Sequence, residues 1–140
     1  MEKLNERLKS LKSALKNFKK SIDRLITIRA ATPIDSDELM AYRDSVIKRF
    51  EICYDLAWKC LKDFLEKDYG IQVASPKKVF QEFFTQQLLK EEELKEAMQM
   101  ADDRNQTCHI YNESMADSIS EKAASHYELM QKLINAIKIK

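Results

Sequence analysis

The sequence has very few of the residues that interrupt helices. Among its 140 residues there are one glycine and two prolines. Folds rich in β-structure need many tight turns, and tight turns rely on glycine and proline. Leucine, lysine, glutamate and alanine are abundant instead, and all four favour helix. We therefore predict an all-α protein with long helices and few turns.

Histidine and cysteine are scarce as well. The two histidines and three cysteines are spread along the chain without the clustering of a metal site. The sequence has no glycine-rich loop of the kind that cradles nucleotide phosphates. An odd number of cysteines is typical of reduced thiols in a reducing compartment. We predict a cytoplasmic protein with no metal ion and no bound cofactor.

The chain also lacks a long apolar run and a large excess of either charge. No run approaches the ~20 apolar residues that cross a bilayer, and the polar start, Met1–Glu6, does not resemble a signal peptide. The formal net charge is +1 at pH 7, so the charge of the whole molecule does not favour nucleic acid. We expect no membrane association, and any RNA site has to be local.

Apolar residues recur at helical spacing through most of the chain. Between Leu4 and Leu25 they alternate spacings of four and three, which is typical of a seam in a left-handed helical bundle. The second helix is predicted to follow an Asp35 N-cap and to stop at Gly70. We predict helices from about Glu2 to Arg29, from Asp35 to about Lys67, from Ser75-Pro76 to about Gln87, from Glu91 onward, and from about Asn112–Ser114 to the C-terminus.

These segments predict a single domain, residues 1–140, built as an antiparallel up-down four-helix bundle with one additional short helix. The second helix has the widest apolar face, so we expect it to lie at the centre. Glu51 falls among the apolar residues of that face, and a buried carboxylate needs a partner. We expect Glu51 to contact an arginine or tyrosine of another helix.

The later helices have apolar stripes of their own. His126 borders the stripe of the last helix, and we interpret it as a boundary histidine without a role. The predicted inner residues of the third and fourth helices are Val79, Phe80, Phe83, Phe84, Leu94, Ala97, Met98 and Ala101.

Basic residues are concentrated on the first helix. We interpret them as a solvated outer face, and a patch for RNA or an acidic partner is the alternative. These residues are Lys3, Arg7, Lys9, Lys12, Lys16, Lys19 and Lys20.

The segment from Asp103 to Tyr111 holds the residues best suited to chemistry. Arg104 offers a charged fork of donors that matches phosphate, His109 can exchange a proton near neutral pH, and Tyr111 adds a hydroxyl. On one straight helix Arg104 and His109 point about 140° apart. Either the helix ends or bends near residues 107–111, or two chains share one site. The alternative is that Arg104 pairs with a carboxylate, while His109 and Tyr111 are polar residues at a helix end.

The pattern Arg104-Asn105-x-x-x-His109-x-Tyr111 resembles the signature of HEPN domains, and among them the nucleotidyltransferase substrate-binding proteins. Residues 43–51 and 55–59 resemble the second helix of that family, and residues 75–80 resemble the start of its next helix. The resemblance implies a helical bundle that forms a homodimer, with two copies of the motif lining one cleft. It also implies a partner, a minimal nucleotidyltransferase that is usually encoded next door.

The resemblance further implies a toxin–antitoxin pair in which this chain is a metal-independent ribonuclease, silenced when the partner adds AMP to Tyr111. Cleavage of single-stranded RNA uses the 2′-hydroxyl of the substrate, so the protein has to move protons and stabilise charge on the phosphate. His109 suits the first task and Arg104 the second. Asn105 would orient His109 or bind the sugar, and Glu51 would support the site.

Two other functions stay open at this point. One is a non-catalytic subunit that presents a substrate to the nucleotidyltransferase. The other is a helical interaction protein without a chemical role.

Overall fold

Five helices account for most of the residues that a computed structural model of the chain describes. The described residues are 2–31, 33, 36–109 and 112–137, with all of their side chains except those of Glu2 and His109. None of these residues forms a strand, so the all-α prediction is confirmed. The helices are α1 (Glu2–Ala31), α2 (Asp37–Tyr69), α3 (Pro76–Thr85), α4 (Glu91–His109) and α5 (Glu113–Asn135).

The first two helices form a long antiparallel pair. Arg7, near the start of α1, bonds to Asp63 near the end of α2. Further along α1, Phe18 packs on Phe50 in the first half of α2. This pair is the most extensive helix contact in the described part of the chain.

The remaining long helices continue the alternation of direction. In α5, Asp117 lies beside Arg43 of α2 and His126 stacks on Phe50, so α2 and α5 run the same way. The start of α4 lies near the end of α5, and its later part lies near Lys122, so these two helices are antiparallel. The predicted up-down order of the four long helices is therefore correct. Helix α2 contacts each of the other four helices, as its wide apolar face indicates.

The core follows the predicted seam of α1 closely. The seam residues are all buried, and they are Leu4, Leu8, Leu11, Leu15, Phe18, Ile22 and Leu25. On α2, Cys53 and Cys60 are buried as small core residues. Burial raises the pKa of both thiols to about 12, so neither forms the reactive thiolate near neutral pH.

Two inner positions differ from the prediction. Phe84 is 40% exposed, because α3 turns Phe80 and Phe83 inward and the third phenylalanine of the helix points away from them. On α4 the deeply buried methionine is Met100, whereas Met98 is half-buried. The ten-residue α3 thus buries Val79, Phe80 and Phe83, and α4 turns Met100 rather than Met98 fully into the core.

The ends of α2 show one correction and one confirmation. The N-cap is Ser36, whose hydroxyl accepts a hydrogen bond from the Leu39 amide. Asp35, the predicted cap, lies outside the described residues. At the other end Gly70 has φ 66°, the left-handed conformation, and its amide bonds to carbonyls of the last turn. Glycine adopts this conformation with little strain, so it stops the helix as predicted.

The outer face of α1 is exposed, as interpreted. Its six lysines are solvent-accessible, whereas Arg7 is half-buried against α2. None of the described helices combines the length and the apolar character that crossing a bilayer requires.

Candidate functional site

Arg104 lies near the C-terminal end of α4 and faces α2. Position 104 follows the buried residues Met100 and Ala101 on the inner stripe of α4, which brings the side chain against the middle of α2. About 17% of the side chain is exposed, so the guanidinium sits at the rim of the core. There it meets two carboxylates, Glu51 and Asp55, which are one helical turn apart on α2.

The two carboxylates hold different parts of the guanidinium. Asp55 accepts from Nε of Arg104 at 3.2 Å and from Nη2 at 3.1 Å, one bond to each carboxylate oxygen. Glu51 accepts from Nη1 at 2.9 Å. This confirms the expectation that Glu51 contacts an arginine of another helix. It also matches the alternative in which Arg104 pairs with a carboxylate.

Residues of the last turn of α4 complete the cluster. The Thr107 hydroxyl accepts from Nη1 of Arg104 at 2.9 Å and lies 3.1 Å from Glu51. The same hydroxyl is 2.7 Å from the Arg104 carbonyl, so its single proton goes to one of these two oxygens. The Cys108 sulfur, on the exposed side, lies 2.8 Å from Nη1. The guanidinium is thus fixed in one orientation by groups from two helices.

Acidic groups outnumber the arginine at this site. A hydrogen bond from Arg104 to Asp55 is the main cause that raises the pKa of Arg104, and Glu51 adds to it. The cluster holds one positive and two negative groups. An incoming phosphate therefore meets an arginine that already has acidic partners.

The other predicted site residues are placed only in part. Asn105 lies exposed on α4, next to Arg104. His109 is the last residue of α4, and its side chain lies outside the described part of the structure. Tyr111 lies outside the described residues altogether. Helix α4 continues through His109, so positions 104 and 109 lie on one helix, about 140° apart around its axis.

A second polar cluster, which the sequence interpretation missed, lies directly beside the first. Asp103 is 1% exposed. One of its oxygens accepts from Gln99 at 3.1 Å and from Lys122 at 2.9 Å, and the other lies 2.7 Å from Nε2 of His126. His126 is itself 5% exposed and stacks on Phe50, with the ring centroids 5.0 Å apart.

The interpretation of His126 as a boundary residue without a role is therefore wrong about its burial and its contacts. The signal for burial was present: Ile119, Ala123, His126 and Met130 follow the four-three-four spacing of an inner stripe. What the sequence did not show was the partner, because Asp103 and His126 are 23 residues apart on different helices.

Burial by itself raises the pKa of Asp103, but the hydrogen bonds from His126, Lys122 and Gln99 outweigh burial, and the net effect lowers this pKa. Lys122 and His126 also line a cavity of about 310 Å³ between α4 and α5. Asp103 thus joins α4 to α5 at the residue that precedes Arg104.

Among the residues that the structure describes, no three His, Cys, Asp or Glu side chains are grouped closely enough to hold a metal ion.

The fold and site together define a helical bundle with a charged cluster at the end of its fourth helix. The family described as nucleotidyltransferase substrate binding protein like matches residues 6–139, and the chain belongs to this family. A crystal structure of a protein from Thermus thermophilus is similar to the chain, with a TM-score of 0.69 and 31% sequence identity. That match covers 87% of this chain and 99% of the other. No curated protein matches the chain.

Proposed function

We propose that the chain is the HEPN-type partner of a minimal nucleotidyltransferase and that its Arg104–His109 segment cleaves single-stranded RNA without a metal ion. The family supports a nucleotidyltransferase partner. The motif residues support the ribonuclease. The partner silences the activity by transferring AMP to Tyr111.

The observation that carries this proposal is the fixed guanidinium of Arg104 at the end of α4. Three groups from α2 and α4 orient it, and His109 ends the same helix. An arginine fixed in advance loses little conformational freedom when it binds an anion. Arg104 thus supplies a positioned cation, and His109, five residues further along the same helix, supplies the proton-exchanging group to a cleft shared with a second chain.

The reaction uses the substrate's own nucleophile. The 2′-hydroxyl oxygen attacks the neighbouring phosphorus, the bond from phosphorus to the 5′-oxygen breaks, and the product ends in a 2′,3′-cyclic phosphate. One proton leaves the 2′-hydroxyl and one reaches the 5′-oxygen, and His109 carries out this exchange. Arg104 stabilises the charge that develops on the phosphate oxygens. Asn105, exposed beside Arg104, contacts the sugar or His109.

A second candidate function is a non-catalytic subunit that presents a substrate to the nucleotidyltransferase. The observation that favours it is the pairing of Arg104 with both Glu51 and Asp55. This pairing neutralises the one arginine of the motif, as a purely structural contact between α2 and α4 would.

The test compares RNA cleavage by wild type, Arg104→Ala and His109→Ala in EDTA. Wild type is expected to release products with 2′,3′-cyclic phosphate ends. Each variant is expected to lose about 10²-fold or more in rate, because each removes a group that acts in the transition state. Chain co-purified with an active nucleotidyltransferase is expected to carry AMP on the Tyr111 peptide and to be inert, and Tyr111→Phe is expected to escape this silencing.

Arg7→Ala is the matched control, because Arg7 also forms an arginine–aspartate pair with α2, at 2.6 Å from Asp63, but lies outside the motif. It should cleave RNA like wild type. If wild type is inert with EDTA and with magnesium alike, the binding subunit is the correct function. If His109→Ala cleaves at the wild-type rate, the mechanism is wrong.

A further inference from the structure

We propose that Asp55 occupies the phosphate position on Arg104 and is displaced when an RNA phosphodiester binds, whereas Glu51 stays in place and holds the guanidinium. This inference rests on the proposed function, because RNA supplies the phosphodiester. It assigns the two carboxylates opposite roles: Asp55 competes with the phosphate, and Glu51 positions the guanidinium that binds the phosphate.

The geometry of the Asp55 contact carries the first half of the proposal. Both carboxylate oxygens of Asp55 bond to the edge of the guanidinium formed by Nε and Nη2, at 3.2 and 3.1 Å. This two-pronged arrangement is the one in which arginine also binds phosphate, since both anions present a pair of oxygens with similar spacing. A phosphate therefore finds its best position on Arg104 already taken by Asp55.

The surroundings of the two acids differ in a way that decides which one leaves. The Asp55 side chain is 43% exposed, and in the described part of the chain Arg104 is its one hydrogen-bond partner. Once displaced, its carboxylate can turn into water. An ion pair this exposed is weak, so a phosphate that accepts two hydrogen bonds from Arg104 can replace Asp55.

Glu51 is held more firmly. Its side chain is 22% exposed, and it bonds to Nη1 of Arg104 while lying 3.1 Å from the Thr107 hydroxyl. Nη1 is also bonded to Thr107 within the same helix. This side of the guanidinium is therefore tied to both α2 and α4, and it keeps the Nε–Nη2 edge directed at the position that Asp55 occupies.

The experiment measures binding separately from cleavage. The probe is a fluorescent single-stranded RNA in which every 2′-hydroxyl is methylated, so it cannot be cut by attack of that group. Fluorescence anisotropy at one fixed salt concentration gives the dissociation constant, because affinity for phosphates changes steeply with salt. The proteins are wild type, Asp55→Asn, Glu51→Gln, Arg104→Ala, and Arg104→Ala combined with Asp55→Asn.

Asp63→Asn is the matched control. Asp63 also lies on α2 and also pairs with an arginine, at 2.6 Å, and its replacement changes the net charge by the same amount. Asp55→Asn is expected to tighten binding roughly threefold to tenfold, the range that removal of a weak competing ion pair allows. Asp63→Asn is expected to stay within about twofold of wild type, since it adds the same charge away from the site.

The double variant distinguishes competition at the Nε–Nη2 edge of Arg104 from a general effect of charge on RNA binding. In the Arg104→Ala background, Asp55→Asn is expected to have no effect, because the position for which Asp55 competes has been removed. An equal gain with Asp55→Asn in both backgrounds overturns the proposal. So does an equal gain from Glu51→Gln and Asp55→Asn, since local charge alone would then set the affinity, and so does the absence of binding by wild type and Asp55→Asn alike.

A measurement on wild type covers the case in which Asp55→Asn does not fold, as judged by circular dichroism. The Nε–H resonance of Arg104, assigned by its loss in Arg104→Ala, is expected to shift when the methylated RNA is titrated in. An unchanged resonance at saturating RNA overturns the proposal.

The two proposals fail in different ways. Tighter binding by Asp55→Asn without RNA cleavage by any form would contradict the proposed ribonuclease activity and would support the proposal that Asp55 occupies the phosphate position. RNA cleavage by wild type together with unchanged binding by Asp55→Asn would support the ribonuclease activity and contradict the role proposed for Asp55.

Discussion

Asp103 shows how one buried residue fixes the position of its neighbour. Its carboxylate meets His126 and Lys122 of α5, and His126 stacks on Phe50 of α2. The residue before Arg104 is thereby tied to two other helices. A small shift of α4 along its axis would break these bonds and move Arg104 away from Glu51.

Replacing Asp103 by asparagine is expected to lower the free energy of unfolding by about 2–4 kcal/mol near neutral pH, because it leaves buried polar partners incompletely satisfied. The pKa of Asp103 is lower in the folded protein than in the unfolded chain. Its stabilising contribution is therefore present above the unfolded value of about 4 and is lost as the pH falls through the folded value. Urea unfolding at pH 6, 5 and 3.5 measures the difference.

The neighbouring residue provides the control for this substitution. Asp102 pairs with Lys77, and both side chains are about half exposed. Asp102→Asn is expected to change the free energy of unfolding by no more than about 0.5 kcal/mol. A difference between wild type and Asp103→Asn that persists unchanged at pH 3.5 would contradict the role given to the Asp103 carboxylate.

For single residues, the sequence predicts a contact when a charged residue falls among apolar ones. Glu51 among apolar residues was such a case, and its arginine partner could be anticipated because an acid inside a core needs a cation or donor. Asp103 gave no such warning, since it lies in a stretch of mixed polarity, and the apolar stripe that indicates burial of His126 does not identify its partner. Their pairing depends on how α4 and α5 align, which the sequence of either helix does not contain.

At the scale of helices, capping serines illustrate a difference that the sequence alone does not show. Ser36 and Ser75 both precede helices and both have extended backbones. The Ser36 hydroxyl accepts a hydrogen bond from Leu39, whereas the Ser75 side chain makes no cap bond. The first turn of α3 begins instead with Pro76, which has no amide proton to satisfy.

Ser36→Ala is therefore expected to lower the free energy of unfolding by about 1 kcal/mol, the usual effect of losing a capping bond. Ser75→Ala is expected to lower it by only a few tenths of a kcal/mol, because no capping bond is lost. Urea unfolding of both variants beside wild type measures the difference. Equal losses would show that the Ser36 bond contributes nothing to stability.

The helices themselves could be predicted well because long apolar periods specify them, and the short connections between them favour the antiparallel order. These sequence signals are local, because each concerns residues only a few positions apart. They are the periodic seam of α1, the left-handed stop at Gly70 and the acidic start of α4. The exposed Phe84 and the buried Met100 could not be assigned in this way. They depend on which side of the α3–α4 hairpin faces α2, and that is settled by packing between helices.

On the scale of the whole molecule, we propose the homodimer that the motif spacing and the family resemblance imply. The surface beside the site offers an apolar contact, since Ile52 is 42% exposed next to Glu51. Light scattering is expected to give about twice the 16.4 kDa mass of one chain. Ile52→Lys is expected to shift the chain toward monomer, since it places a charge in the contact.

Ile26→Lys is the control for that shift, because Ile26 is 59% exposed on α1 and lies outside the proposed contact. It should leave the mass unchanged. A monomer at micromolar concentration in wild type would contradict both the dimer and a cleft shared by two motifs.

The position of the acids before Arg104 in the chain has a consequence for the ribosome that makes this protein. Asp55 precedes Arg104 by 49 residues, so at about 5–20 residues per second it is synthesised roughly 2–10 seconds earlier. By the time Arg104 emerges, α1 and α2 are complete and both carboxylates are available. The guanidinium of a newly made chain therefore docks onto acids that are already there. Under the proposed function, the arginine that binds phosphate thus has an internal carboxylate in that position from the time the helices pack together.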